Sequence, residues 1–183
     1  DRFLLGSVAE KVLRGAANPL LLVRATEEAK SEGAALLKSI IVPLDGSELA
    51  ESIIPTAAEK AKELGLEVVL FRAHHLPTSA YASDEMYSAV DYDELIGGVR
   101  DEATQYLEKK AAEVKKLGVE KVSVVSKEGF AADEIIALGR KNPDSLIAMC
   151  SHGRTGVKRW MLGSVTEAVV RHSGDPVLVM RAK

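Results

Sequence analysis

The chain has 183 residues, 46% of them hydrophobic and 28% charged, with a formal net charge of −3 at pH 7. This is the composition of a soluble globular protein, and the slight negative balance argues against nucleic-acid or anionic-membrane surfaces, which need a basic excess. A single cysteine, Cys150, excludes an internal disulfide and a cysteine-rich zinc site, and no apolar run reaches membrane-spanning length.

Residues 1–25 form an amphipathic stretch without a signal-peptide pattern, and they repeat the end of the chain. Shifted by 157 positions, Arg2, Leu5, Gly6, Ser7, Val8, Glu10, Val12, Arg14, Pro19, Leu21, Arg24 and Ala25 meet identical residues, twelve identities in 25. A period of that size predicts the tail of one domain followed by a second, complete copy. The expected organisation is a C-terminal helix and strand of a preceding repeat over 1–25, a polar linker over 26–37, and a complete domain over 38–183. The chain opens on Asp1 rather than Met, so the natural protein is expected to be longer.

Ile40-Ile41-Val42 is the first short apolar run, and 48–64 follows with helical spacing, ending at Gly65. Pro55 lies inside that helix and predicts a kink or a break. Val68-Val69-Leu70-Phe71 is a second strand. Residues 74–92 hold His74, His75, Tyr81, Tyr87 and Tyr92 without a period and read as a long loop. The helix over 94–117 carries Leu95, Val99, Ala103, Tyr106, Leu107, Ala111 and Val114 at steps of three and four, and stops at Gly118. Then come strand Val122–Val125, helix 131–141, strand Leu146–Met149, helix 164–173 and strand Val177–Met180. Continuous apolar runs this short suit strands buried on both faces, and the alternation predicts an open parallel α/β sheet with right-handed crossovers.

In such sheets ligands bind beyond the carboxyl ends of the strands where the strand order reverses. With the order 3-2-1-4-5, two loops would share that crevice: Pro43-Leu44-Asp45-Gly46-Ser47 after the first strand, and Cys150-Ser151-His152-Gly153-Arg154-Thr155-Gly156 after the fourth. Glycines allow close backbone approach, Arg154, Lys158 and Arg159 add positive charge, and the helix opening at Gly163-Ser164 offers free N–H groups to an anion. Together they describe a nucleotide site. Each part also has a plain structural explanation. Ser164 and Glu167 fit a Ser-x-x-Glu capping box, and Asp45-Gly46-Ser47 fits a turn running into a helix cap.

Other chemistries find less support. No phosphate-binding G-x-x-x-x-G-K-[ST] loop and no G-x-G-x-x-G follows a strand. His74, His75 and His152 lack a second metal ligand at helical or hairpin spacing. A hydrolase assembled from Ser151, His152 and Asp45 would place adjacent Ser and His side chains pointing apart, with no G-x-S-x-G elbow. Cys150 ends an apolar strand and reads as an inert buried thiol.

These motifs resemble those of the universal stress protein family, whose nucleotide signature is Gly-x-x-Gly, nine residues, then Gly-Ser or Gly-Thr. Here Gly153, the nine residues Arg154 to Leu162, and Gly163-Ser164 fit it, as do Val42-Pro43-Leu44-Asp45-Gly46-Ser47 and Pro176-Val177-Leu178-Val179. The resemblance covers 38–183 and, in part, 1–25. It implies a five-stranded parallel sheet in a flavodoxin-like, Rossmann-like order with helices on both faces. It also implies ATP or AMP, alone or with magnesium, as the ligand. Asp45 and the backbone of Ala73 would contact the adenosine, with Pro43, Ser47 and Met149 beside them. Gly153, Gly163, Ser164 and Val165 would cradle ribose and phosphates, with Cys150, His152, Arg154 and Thr166 completing the site.

The signature's first glycine is Cys150 here. If that position needs positive φ, a non-glycine residue costs about 1–3 kcal/mol. If it contributes only extended backbone, little is lost. The resemblance further implies homodimers or tandem pairs joined through the final strands, with Leu20–Val23 pairing antiparallel to Val177–Met180. The expected function is a cytoplasmic, nucleotide-binding stress-response regulator without catalysis. The alternatives are a nucleotide-free dimerisation or scaffold module with a degenerate site, and a slow ATP hydrolase.

Overall fold

The computed structural model describes residues 7–15, 18–23, 36–75, 92–151 and 162–181. Helix α1 (Ser7–Gly15) and strand β1 (Leu20–Leu22) precede β2 (Ser39–Pro43), α2 (Glu48–Glu51), α3 (Ile54–Leu64) and β3 (Glu67–His74). After these come α4 (Tyr92–Lys116), β4 (Val122–Glu128), α5 (Ala131–Lys141), β5 (Ser145–Cys150), α6 (Ser164–His172) and β6 (Val177–Met180). Most of the expected linker and of the loop over 74–92 lies outside the described residues. Among those described, no helix is long and apolar enough to cross a membrane.

The strands form one sheet in the order β1-β6-β5-β2-β3-β4. From β2 onwards this is the expected 3-2-1-4-5 order, all parallel. The sheet is nevertheless six-stranded and mixed rather than five-stranded and parallel, because β1 adds antiparallel to β6. Central strands β2 and β5 are buried almost throughout. Edge strand β4 is only half-buried, since one flank has no neighbour.

Alternating side chains along the strands feed two cores. On one face Ile40, Val42, Val68, Leu70 and Ala148 pack under α2, α3 and α4, through Ile53, Ala57, Ala61, Leu107 and Val114. On the other, Ile41, Phe71, Ile147 and Met149 meet α5 and α6 through Ile135, Ile136, Val169 and Val170. Pro55 produces a break: α2 ends at Glu51, and α3 starts at Ile54 with the proline in its first turn. There the missing N–H would have had no intrahelical partner, so the ring costs no hydrogen bond. Gly65 ends α3 in a left-handed conformation at φ 67°, which would cost an L-residue about 1–2 kcal/mol.

The sequence repeat reappears as a structural one. The bounds of α1 and β1, advanced by 157, are those of α6 and the first three residues of β6. The two strands pair as Leu20 with Val179, Leu21 with Leu178 and Leu22 with Val177. Leu21 and Leu178 are equivalent in the repeat, so a local two-fold axis passes between them. The two helices differ in cover. Val169 of α6 is fully buried, while its counterpart Val12 of α1 is 49% exposed and Val8 is 74% exposed.

Candidate functional site

At the carboxyl ends of β2, β3 and β5 the sheet opens into a cavity of about 250 Å³. Pro43, Leu44 and Asp45 enter it from the end of β2, Phe71 and Ala73 from β3, and Met149 and Cys150 from β5. Ala131 and Ile135, one turn apart on α5, form a further wall, and Gly163, Ser164, Val165 and Thr166 close it with the start of α6. Strands β2 and β5 are neighbours that receive their crossovers on opposite faces, and this separation of the connections is what leaves the crevice.

Asp45 is fixed by its own turn. Its Oδ1 accepts from the Ser47 N–H at 2.9 Å and from the Ser47 hydroxyl at 2.6 Å. Ser47 in turn caps α2, its Oγ accepting from the Ala50 N–H at 3.1 Å. The turn-and-cap explanation therefore describes Ser47, which does not line the cavity, while Asp45 serves the turn and borders the cavity as well. Helix α2 is braced from behind. Glu51 accepts from the Tyr106 hydroxyl at 2.8 Å and from Lys110 Nζ at 2.7 Å. Burial raises the Glu51 carboxyl, but the Lys110 and Tyr106 hydrogen bonds outweigh that and leave it below the ordinary range.

The capping box at α6 does not form. The N-cap position is Gly163, extended at φ −60° and ψ 147°, and among the described residues no side chain caps the helix. Glu167 instead reaches forward to Arg171, with the guanidinium at 2.9 Å and 3.0 Å. One turn C-terminal to Glu167, Arg171 offers a full charge in place of a single backbone N–H. The first turn of α6 thus faces the cavity without a side-chain cap, its Ser164 at the first helical position. Thr166 is committed elsewhere, donating to the Cys150 carbonyl at 2.9 Å. The Gly163 N–H donates to the Ser151 carbonyl at 2.7 Å, tying the helix start to the end of β5.

Cys150 answers the question its presence raises. It closes β5, and among the described residues no non-glycine has positive φ. The backbone there is ordinary strand, so a side chain carries no conformational penalty. The thiol turns towards α2, 3.2 Å from the Ser52 hydroxyl, and is only 4% exposed. Burial, opposed in part by the Ser52 contact, pushes its pKa up and keeps it protonated at neutral pH.

Of the residues expected at the site, Pro43, Asp45, Ala73, Met149, Cys150, Gly163, Ser164, Val165 and Thr166 converge on one cavity. His152, Gly153 and Arg154 lie outside the described residues. Sequence reasoning missed Leu44, Ala50, Phe71, Ala131 and Ile135. Two signals pointed to some of them: Phe71 stands two residues before Ala73 on the same strand face, and Ala131 and Ile135 share a helix face at four-residue spacing. Among the described residues no group of three or more His, Cys, Asp or Glu side chains is placed to hold a metal. His74 is buried, with Nδ1 2.9 Å from the Ser126 hydroxyl.

A family model described as the universal stress protein family matches residues 37–181. Universal stress protein MJ0531 of Methanocaldococcus jannaschii is 32% identical over 150 residues, 81% of this chain and 85% of that protein. The solved structure of MJ0577 from the same organism is 30% identical at a TM-score of 0.68, covering 81% of this chain and 98% of that one. A universal stress protein from Archaeoglobus fulgidus matches the whole of this chain with 57% of its own, at 22% identity and a TM-score of 0.70, a likeness of fold. The match of the family model over residues 37–181 and the 32% identity with a relative over 81% of this chain place it in the universal stress protein family.

Proposed function

We propose that the chain binds an adenine nucleotide, ATP or AMP, in the cavity at the ends of β2, β3 and β5, and acts in the cytoplasm as a stress-response regulator. The observation that carries this is the pairing of an apolar cavity with the uncapped first turn of α6. Free N–H groups at a helix start carry partial positive charge and suit a phosphate, while the apolar walls of Phe71, Ala73, Ala131 and Ile135 suit a flat base. Asp45, at the end of β2 between these two regions, offers a carboxylate to ribose hydroxyls. A universal stress protein solved in complex with cAMP, 18% identical to this chain with a TM-score of 0.58, supports the ligand class.

The test is to denature the purified chain, identify released small molecules by mass, and titrate ATP and AMP calorimetrically with and without magnesium. About one nucleotide per chain, or a saturating heat, is expected. No released nucleotide together with no heat would overturn the reading. Asp45→Asn keeps acceptors for Ser47, so it separates loss of binding from loss of the turn better than alanine.

The local two-fold between β1 and β6 favours a second role beside the first. We propose that α1 and β1 are the last helix and strand of a preceding repeat and that the chain works as a paired module. Exposed Val8 and Val12 support this, since their counterparts Val165 and Val169 are half-buried and fully buried in their own domain. Joining a complete preceding repeat should protect the amides of α1 from hydrogen exchange. Unchanged exchange there would sink the idea.

A further inference from the structure

The cavity runs across the ends of β5, β2 and β3, with α6 at one limit and the junction of β3 with α5 at the other. At that second limit the lining residues Ala73 and Ala131 are each followed outward by an aromatic ring. His75 stands directly beyond β3 and Phe130 directly before α5, their ring centroids 5.8 Å apart and their planes tilted by 41°. The Gly129 N–H donates to the His74 carbonyl at 2.9 Å, which fastens the two segments together. Gly129 itself has φ +144°, a backbone that an L side chain rarely adopts, and it delivers Phe130 to the N-cap position of α5.

That position ordinarily holds Ser, Thr, Asp or Asn, which cap the helix. Here it holds a phenylalanine that caps nothing and is 72% exposed. Neither helix chemistry nor core packing accounts for the ring. Its place beside an apolar cavity whose far end suits phosphate does account for it.

We propose that Phe130 and His75 form an aromatic rim that receives the base of a bound nucleotide and favours purines over pyrimidines. The proposal rests on the nucleotide reading above and deepens it. A larger ring system covers more of the rim, so discrimination follows from contact area and π-stacking. Base–aromatic contacts of this kind are worth about 1–3 kcal/mol by alanine substitution, or roughly 5- to 150-fold in affinity.

The experiment is calorimetric titration of the full chain with ATP, CTP and inorganic tripolyphosphate, for the natural sequence, Phe130→Ala and Phe130→Trp. Phe130→Ala should weaken ATP about tenfold, weaken CTP less, and leave tripolyphosphate unchanged, while Phe130→Trp should retain the preference for ATP. Unaltered ATP affinity in Phe130→Ala would overturn the rim and leave the nucleotide reading intact. So would an equal loss for tripolyphosphate, which would trace the effect to the fold. Absence of ATP binding by the natural chain would remove the nucleotide reading itself, and the rim with it.

Discussion

Gly139, in the interior of α5, offers a sharp test of how closely that helix is fitted to the loop before β6. Helix propensity alone says that Gly139→Ala should stabilise the protein by about 1 kcal/mol. The local packing says otherwise. A Cβ at Gly139 would stand 2.3 Å from Asp175 Oδ2, 3.1 Å from its Cγ and 3.4 Å from Ile147 Cδ1. The carboxylate must then move by most of an ångström on a side chain with only two torsions, or α5 must lift off the sheet. Overpacking of this kind costs about 1–3 kcal/mol, which matches or exceeds the propensity gain. Gly139→Ala alone should therefore leave stability unchanged or lower it by up to about 2 kcal/mol. With Asp175→Ala the obstacle is gone, and the same glycine substitution should stabilise by about 1 kcal/mol, moving a urea midpoint by about 0.5 M. Four proteins followed by circular dichroism through urea unfolding complete the cycle. If Gly139→Ala stabilises equally in both backgrounds, the coupling is zero and the fitted contact is wrong.

Three further outcomes are expected. Asp175 Oδ2 is buried without a hydrogen-bond partner, and burial raises the Asp175 pKa above its ordinary 3.8. Its stabilising form is the protonated one, present in full below that value and lost as pH rises through the raised one. Asp175→Asn, the residue that the repeat carries at Asn18, should gain about 1 kcal/mol at pH 7 and nothing at pH 3, by urea unfolding at each pH. Burial lowers the His74 pKa from 6.5, so the unfolded chain takes the proton first. Stability should fall as pH drops through 6.5, and His74→Gln should flatten that slope. Cys150→Gly should leave nucleotide affinity within about twofold, because the backbone is already extended there, while lost packing lowers stability by about 1–3 kcal/mol. A large gain in affinity would show that the side chain obstructs the site.

Much of the fold was legible because the strongest sequence signals coincide with the strongest physical constraints. Ile40–Val42 and Leu146–Met149 are short continuous apolar runs that suit strands buried on both faces, and Gly65 and Gly118 end their helices at φ 67° and 91°. The first of the two expected loops was legible, since turn residues such as Asp45-Gly46-Ser47 declare themselves locally, while most of the second, from His152 on, lies outside the described residues. The capping of α6 was not, because Ser164 and Glu167 satisfy the local pattern, while the helix starts one residue early with Gly163 at the N-cap and Glu167 pairs with Arg171. Nor was the direction of Cys150, which depends on which sheet face α2 covers after the break before Pro55. Phe71, Ala131 and Ile135 were missed for a related reason: they read as core, and they are core that happens to end at an opening.

The two-fold relation between β1 and β6 bears on how such a chain can change over time. A strand pairing about an axis meets its own counterpart, so joining two copies end to end requires no new interface residues. The join does raise the effective concentration of one strand at the other into the millimolar range. Leu21 faces Leu178 across that axis, so a substitution carried by both copies appears on both sides of the seam at once.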